Sequence, residues 1–243
     1  DPKLPLRQRN VTKYAHLDAT KRASLFFTPF KLSFACPDEP ERSTMPQPRN
    51  VVDVLSPINK AFFEYWKQLE PAQRLPRKSA INPAAITKII PHLVIYERKE
   101  PTVFKFRLMG TQVVDRLGVD LTSRNLLDFL HYAAKDEAQR DLNRIVDEPC
   151  GQFLVVRDQF TSGREAWVEI LRLPLTGETS GTRFIIGCTE EIKTTGFDQF
   201  ERNEPKLIAQ RIKGCFFDLT GDIHKHTIWI TDDDSVLDDW ARW

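Results

Sequence analysis

The sequence has no long apolar run and no paired cysteines, and its first residues show no pattern typical of a secretion signal. No apolar stretch approaches the roughly 20 residues that a membrane span needs, and the N-terminal residues contain no apolar segment followed by small residues. The four cysteines are far apart and form no C-x-x-C pair, so they indicate neither a disulfide framework nor a redox motif. We therefore expect a globular protein in a reducing cytoplasm.

An excess of charge of one sign is also missing. The chain has 35 Lys and Arg residues against 34 Asp and Glu residues, which gives a formal net charge of +1. A chain without a net field does not attract phosphate backbones or anionic lipid. Nucleic acid is therefore not an expected partner, and no membrane span is expected.

The common motifs of catalysis are missing as well. The sequence contains no G-x-S-x-G elbow, no P-loop, no G-x-G-x-x-G and no H-E-x-x-H. Glu190 and Glu191 are adjacent on a predicted strand, where their side chains would point to opposite faces and form no catalytic pair. We expect the chain not to be an enzyme. A signalling role would act on a separate partner, because neither tail carries a kinase or cyclase motif.

The first well-supported element is a helix that follows residues 1–50, a segment in which prolines interrupt every candidate element. Ser56 and Pro57 form an N-cap and N1 pair, and the helix is predicted to end before Pro71. Its apolar residues recur at helical spacing: Ile58, Phe62, Tyr65, Trp66 and Leu69. A second, shorter helix is predicted after Asn82.

Two strands, a group of helices and three more strands follow in that order. The first two strands, LVIYER and VFKFRLM, flank a turn at residues 99–102. Helices are then predicted over TQVVDRL, residues 126–130 and residues 135–147. The last three strands are GQFLVVRDQF, EAWVEILRL and TRFIIGCTEEI, and residues 220–222 suggest one more hairpin. Short hairpin connections make the sheet antiparallel, so the fold class is α+β.

These elements and their residues resemble a known family. The stretch LPRKSAINPAAITKIIPHLVIYE, followed by FKFRLMGTQVVDRLGVDLTSRNLLDFL and the VEILRLPL strand, resembles the PAS-like domain family common in α-proteobacteria over roughly residues 52–192. Ser123 and Ala80 stand where that family often has Gly and Asp. The resemblance implies a bacterial, cytoplasmic sensory domain with a five-stranded antiparallel sheet and helices on one face. It names no ligand, because PAS domains hold haem, flavin, organic acids or nothing.

The expected organisation is an N-terminal extension over residues 1–50, a PAS-like domain with its flanking helix over residues 51–196, and a C-terminal extension over residues 197–243. The expected function is signal transduction by binding of a small ligand or a partner protein, without catalysis. Binding would be transmitted through the flanking helix, where Phe62 and Trp66 would contact a second copy. The alternative is that this helix covers its own sheet.

Alternating residues on the predicted strands suggest a ligand pocket. The candidate ligand-binding residues are Phe104, Phe106 and Leu108 on the second strand, Trp167, Glu169 and Leu171 on the fourth, and Phe184 and Ile186 on the fifth. An unpaired buried carboxylate is costly, so a buried Glu169 would need a partner, and with Trp167 it would orient a ligand that carries a donor. Apolar residues at strand period usually form core. That favours the alternative in which Glu169 is paired with an arginine or faces solvent.

Two further functional alternatives stay open. One is a small cavity enzyme that uses Glu169 as a general base in an apolar pocket. The other is a docking scaffold for a partner protein that holds no ligand at all. A cavity with a second polar group beside Glu169 would favour the enzyme, and a purified protein without a bound small molecule would favour the scaffold.

No cofactor is assigned, and no metal site is expected. His224 and His226 share one face of a predicted strand, with Asp222 as a third ligand, but a solvated hairpin is the more usual outcome for such a loop. Haem would need an axial ligand, for which His131 is best placed, although a histidine at a helix end more often contacts the last carbonyls. Light-sensing flavin chemistry would need a cysteine that residues 111–130 lack.

Overall fold

The computed structural model of the protein describes residues 49–69, 75–130, 132–160, 163–178, 183–196, 206–224 and 228–230. Contacts divide the chain into two compact units, residues 1–44 and residues 45–243. The first unit lies entirely outside the described residues. None of the described helices is long and apolar enough to cross a membrane.

Three α-helices occur in the described residues: α1 (Pro57–Gln68), α2 (Thr111–Leu117) and α3 (Tyr132–Asp147). Short 3-10 helices join them, at Val51–Asp53, Lys78–Ala80, Pro83–Ile86, Ile90–His92 and Leu126–Phe129. The single short helix predicted after Asn82 is therefore two 3-10 turns. Proline at the start of each turn removes a backbone donor, which suits such short elements.

The helix ends follow the caps that the sequence indicates. The Ser56 hydroxyl accepts the backbone N–H of Asn59 at 3.4 Å, and Pro57 is the first residue of α1. Asn82 caps its 3-10 turn in the same way, with its side-chain oxygen accepting the Ala84 N–H at 3.1 Å. Gly118 ends α2 with a φ of 70°, a left-handed conformation that glycine adopts without steric cost.

One antiparallel sheet contains all the described strands: β1 (Leu93–Glu100), β2 (Val103–Met109), β3 (Gly151–Phe160), β4 (Glu165–Thr176), β5 (Arg183–Thr195), β6 (Lys206–Phe217) and β7 (Trp229–Ile230). The order across the sheet is β2-β1-β5-β4-β3-β6-β7. The expected number of five strands is wrong. Six described strands have seven or more residues, and β7 adds two residues at one edge.

The sixth strand comes from the segment that we expected to be a C-terminal extension. β6 pairs with β3 along the whole length of β3, from Gly151 opposite Phe217 to Phe160 opposite Lys206. β7 pairs with β6 and closes the hairpin suggested around residues 220–222. The sheet therefore continues beyond residue 196.

Helices cover both faces of the sheet. On the face that we call the α3 face, Phe104 and Phe106 of β2 pack with Leu142 and Ile145 of α3 and with residues of α2. On the opposite face, the α1 face, the apolar side of α1 packs over β3, β4 and β5. The expected arrangement, with helices on one face, describes α2 and α3 but not α1. An apolar helix stripe must be buried, and the α1 face is the apolar surface left for it.

An irregularity in β2 moves one predicted site residue to the other face. Tyr96 pairs with Phe106 and Ile95 pairs with Leu108, so one residue of β2 is left unpaired between them. Such a bulge reverses the alternation of side chains beyond it. Leu108 accordingly packs in the cluster of the α1 face, whereas Phe106 lies on the α3 face.

Candidate functional site

The sheet separates the residues that the sequence suggested as one ligand pocket. Phe104 and Phe106 lie on the α3 face. The others lie in the core of the α1 face: Leu108, Trp167, Leu171, Phe184 and Ile186. Glu169 also faces α1, where it contacts Ser56 and Asn59. The structure thus brings six of these residues together under α1 and places two behind the sheet, so they do not line one pocket.

Glu169 joins the middle of β4 to the start of α1. Its Oε1 accepts the backbone N–H of Ser56 at 2.8 Å and the side-chain amide of Asn59 at 2.7 Å. Glu169 is only 1 % exposed, and Asn59 is fully buried. We call these three residues the α1 clamp. The partners of the buried carboxylate are the N-terminal groups of a helix, where the helix dipole also favours negative charge, and not the arginine or solvent that the sequence suggested.

Burial dominates the electrostatics of the clamp. It raises the pKa of the Glu169 carboxyl, against the opposing hydrogen bonds from Asn59 and Ser56. Glu190 lies directly opposite Glu169 on β5 and raises that pKa further. One oxygen of Glu190 and the side-chain oxygen of Asn59 are buried without a hydrogen-bond partner. The clamp therefore holds a carboxylate in a place that favours its neutral form.

A second group of buried polar side chains lies on the α3 face. We call it the polar strip, and its members come from five different elements: Tyr96, Arg116, Gln152, Arg172 and Thr189. All but Arg116 are buried residues of the sheet. Apolar clusters lie on both sides of the strip, one under α3 and one around Leu154, Val156 and Val168. Polar groups in such a place are costly unless they are paired.

The backbone register explains how Arg172 fits into the strip. Arg172 lies between Gln152 on β3 and Gly187 on β5. A Cβ atom at Gly187 would lie 2.8 Å from Cγ2 of Val94 and 3.8 Å from Cγ of Arg172. Glycine at this position therefore leaves room for Val94, whereas an added Cβ would make only an ordinary van der Waals contact with the stem of Arg172.

Both arginines of the strip have unused donors. Arg172 Nη1 donates to Gln152 Oε1 at 2.9 Å, and Arg116 Nη2 donates to Thr189 Oγ1 at 3.3 Å. The Nε atoms of both arginines are buried without a partner. Burial lowers the pKa of Arg172, and Tyr96 opposes this shift. Burial likewise lowers the pKa of Arg116, with Asp158 and Glu191 opposing through space.

Other arginines near the strip are neutralised by carboxylates. Arg211 of β6 forms ion pairs with Asp141 and Glu137 of α3. Arg164 lies 3.8 Å from Glu191. Arg116 and Arg172 form no ion pair within the described part of the chain. The acids that act on them through space are Asp158 and Glu191 for Arg116 and Asp141 for Arg172.

The described residues offer no ready metal or redox site. No group of three or more metal-ligating side chains occurs in the part of the chain that the structure describes. His131 and His226, considered for haem and metal, lie outside the described residues. Cys150, Cys188 and Cys215 are buried free thiols. Burial raises the pKa of Cys150 to about 11 and of Cys215 to about 12, so these thiols are protonated at neutral pH.

The two residues expected at a dimer interface pack within their own chain. Phe62 is fully buried and Trp66 nearly so, both in the core of the α1 face. The Trp66 indole N–H donates to the carbonyl of Pro174 on β4 at 3.2 Å. The alternative, in which the flanking helix covers its own sheet, is the arrangement in the structure. In this arrangement a second copy has no access to these two side chains.

The sequence of the chain was compared with models of known protein families. The model of the PAS domain matches residues 54–190, which is more than half of the chain. The chain belongs to the PAS domain family. A comparison with curated protein sequences found no significant match. The matched region of this PAS domain contains the whole α1 clamp and the whole polar strip, whereas β6 and β7 lie outside it.

None of the residues of the polar strip was predicted from the sequence as a site residue. Arg172 lies between Leu171 and Leu173 on β4, and alternation places it on the face opposite to theirs. The overlooked signal is that β3 and β4 each contain apolar residues at adjacent positions, FLVV in β3 and AWV in β4, which is typical of strands buried on both faces. A charged residue in such a strand is buried on one face or the other and is a candidate for function.

Proposed function

We propose that this PAS domain is a sensory module that binds a small ligand at the polar strip and transmits the binding state to α1 through β4. One observation carries the proposal. β4 contributes Arg172 to the polar strip on one face and Glu169 to the α1 clamp on the other. Both side chains are buried, and each makes hydrogen bonds to a different element. A shift of β4 at one face therefore changes hydrogen-bond geometry at the opposite face.

The α1 clamp can transmit ligand binding to α1, because its hydrogen bonds are donated by residues at the start of that helix. The carboxylate of Glu169 accepts one of the backbone N–H groups that a helix start leaves without an internal partner. Loss of that bond loosens the N-terminal turn of α1 without disturbing its apolar contacts. Coupling between the polar strip and the α1 clamp requires an element with two conformations, and both sites must shift the equilibrium between them. The first turn of α1 is that element in our proposal.

The catalytic alternative fits the contacts less well. Glu169 has the raised pKa of a general base, but its Oε1 is occupied by Ser56 and Asn59 and α1 covers it. Proton abstraction from a substrate would require α1 to leave the sheet, together with fully buried Phe62 and Phe63. We therefore propose binding without catalysis.

The proposal is tested first by native mass spectrometry and absorbance spectroscopy of the full chain purified under mild conditions. We expect a bound small molecule of fixed mass, or stabilisation of the ligand-free chain by the small-molecule extract of the producing cells. A chain that carries no small molecule and is not stabilised by that extract would instead be the ligand-free docking scaffold.

A double-mutant cycle of Arg172→Met and Glu169→Gln tests the coupling between the two faces. The side chains lie on opposite faces and share no hydrogen-bond partner, so independent sites would give additive changes in unfolding free energy. We expect an interaction energy above about 0.5 kcal/mol by urea denaturation. Additive changes would contradict transmission through β4 and leave ligand binding unaffected.

A further inference from the structure

We propose that the segments on either side of the matched PAS region form a lock on the start of α1. In this flank lock, residues 221–223 of the turn between β6 and β7 hold residues 49–51, which lead into α1. Both segments lie outside the match over residues 54–190. The inference rests on the proposed role of the first turn of α1 and adds a contact that controls it. The closed lock keeps that turn on the sheet, and the open lock releases it.

Backbone hydrogen bonds join the two segments of the flank lock. The Val51 N–H donates to the carbonyl of Gly221 at 2.8 Å, and the Ile223 N–H donates to the carbonyl of Arg49 at 3.0 Å. The chain that leads into the PAS region is therefore paired directly with chain that follows it.

Asn50 adds side-chain contacts at the middle of the lock, where it lies opposite Asp222 in an antiparallel bridge. Its Nδ2 donates to Asp222 Oδ1 at 3.2 Å, and its Oδ1 accepts the Val52 N–H at 3.1 Å. Gly221 has a φ of 105°, and a Cβ atom there would lie 2.7 Å from Asn50 Oδ1. A side chain at position 221 would therefore push against the residue that joins the two segments.

The turn that contributes one half of the lock is held by its own hydrogen bonds. The Asp218 N–H donates to the carbonyl of Asp222, and the Gly221 N–H donates to the carbonyl of Asp218, both at 3.0 Å. The side chain of Asp218 accepts three further backbone N–H groups in the same turn. The turn therefore keeps its shape when the bonds to residues 49–51 break.

A short connection links the lock to the α1 clamp. The 3-10 turn at Val51–Asp53 begins at the lock, and it is followed by Ser56, the N-cap of α1, whose N–H donates to Glu169. Val51 is fully buried in the core of the α1 face, which favours the closed state. Release of residues 49–51 therefore frees the backbone immediately before the clamp.

The lock can open without separation of α1 from the sheet. Arg49 and Asp222 are exposed, so the groups that opening sets free can bind water. Phe217 of β6 contacts Phe63 of α1 edge to face, with 5.7 Å between ring centroids. This contact uses neither segment of the lock and holds the middle of α1 when the lock opens. Opening therefore affects the start of α1 and not its whole length.

Hydrogen exchange of the full chain, followed by mass spectrometry, tests the lock with Gly221→Ala and its matched control Gly163→Ala. Both glycines have a positive φ, 105° and 86°, so alanine strains both turns. Nothing lies within 4 Å of a Cβ atom added at Gly163. In Gly221→Ala we expect Ser56 and the first turn of α1 to exchange about fivefold faster, as for loss of one hydrogen bond. In Gly163→Ala they should exchange at the wild-type rate.

A second pair of variants tests the lock by rescue, and also decides the question should Gly221→Ala fail to fold. Asn50→Asp keeps an oxygen for the Val52 N–H but places a carboxylate against Asp222. We expect faster exchange at the start of α1. Addition of Asp222→Asn restores one donor and one acceptor, so the exchange rate should return towards that of the wild-type chain.

Three results would overturn the lock: wild-type exchange at the start of α1 in Gly221→Ala, an equal acceleration in β1 and β5, or a double variant that restores nothing. An equal acceleration would show general destabilisation in place of local release. The proposed sensory function fails separately. A ligand that leaves α1 unprotected while Gly221→Ala releases it would refute that function and leave the lock standing. A ligand that protects α1 while Gly221→Ala has no effect would refute the lock alone.

Discussion

Glu169 is the residue on which the structure departs furthest from its sequence-based interpretation. The alternation of β4 correctly indicates that it faces inward with Trp167 and Leu171. Its partners were not predictable, because Ser56 and Asn59 lie 113 and 110 residues away in the chain. An N-cap serine predicts where a helix begins. It does not predict which carboxylate of another element will accept hydrogen bonds from that helix N-terminus.

Removal of the carboxyl group should destabilise the fold. Glu169→Ala leaves the Ser56 N–H and the Asn59 side-chain amide as buried donors without an acceptor. We expect a loss of about 2–4 kcal/mol in unfolding free energy, since each unsatisfied donor costs about 1–3 kcal/mol. Glu169→Gln keeps an oxygen acceptor and should change the stability by less than about 1 kcal/mol. Urea denaturation of both variants measures the difference, and equal losses would argue against the clamp.

The raised pKa of Glu169 predicts the sign of a pH dependence. The folded state binds the Glu169 proton more tightly than the unfolded state, whose pKa is near the ordinary value of 4.5. The contribution of Glu169 to stability is therefore greatest below pH 4.5 and declines as pH rises through the raised folded pKa. The titratable groups beside it on β5 are Glu190 and Cys188.

Urea denaturation from pH 4 to pH 8 tests this dependence by comparing the wild-type chain with Glu169→Gln. We expect the stability of the wild-type chain relative to the variant to decrease as pH rises over the lower part of that range. A relative stability that stays constant, or that increases with pH, would show that hydrogen bonds outweigh burial at this carboxyl group.

Among the elements, those with strong local signals were predicted and those with conflicting signals were not. α1, β1 and β2 follow from caps, turns and alternation. β6 was missed because Arg211 and Lys213 interrupt its apolar residues, and in the structure α3 neutralises Arg211. The position of α1 on the opposite face was missed because alternation does not reveal that a central strand is buried on both faces. The polar strip was missed for the same reason.

The turn between β6 and β7 is held by hydrogen bonds to the side chain of Asp218, and a similar turn at Asp120 serves as a control. Asp218 Oδ1 accepts the Thr220 N–H and hydroxyl, at 2.9 and 2.6 Å, and also the N–H groups of Gly221 and Asp222 at 3.0 Å. Asp120 makes the same two bonds to Thr122, at 2.9 and 2.6 Å, without the additional ones. Asp218→Ala should cost about 1–2 kcal/mol by urea denaturation, and Asp120→Ala clearly less. Equal effects would mean that the two additional bonds contribute nothing.

At the scale of the whole molecule, the packing of α1 on the sheet is part of the fold and not a surface for a second copy. Phe62 is fully buried, whereas Phe129 is 49 % exposed. Phe62→Ala should lower the unfolding free energy by about 3–5 kcal/mol, because it leaves a cavity in the core. Phe129→Ala should change it by less than about 0.5 kcal/mol. A tolerated Phe62→Ala that changes only the mass measured by light scattering would restore the interface hypothesis.

The central claim is that occupation of the polar strip on one face of β4 is sensed by α1 on the other. Hydrogen exchange of the full chain, followed by mass spectrometry with and without a strip ligand, tests it most directly. The account predicts that the backbone N–H of Ser56 and those of the first turn of α1 exchange several-fold more slowly when ligand is bound, and that Glu169→Ala abolishes this change. Protection confined to the strip, with α1 exchanging at the same rate in both states, would contradict it.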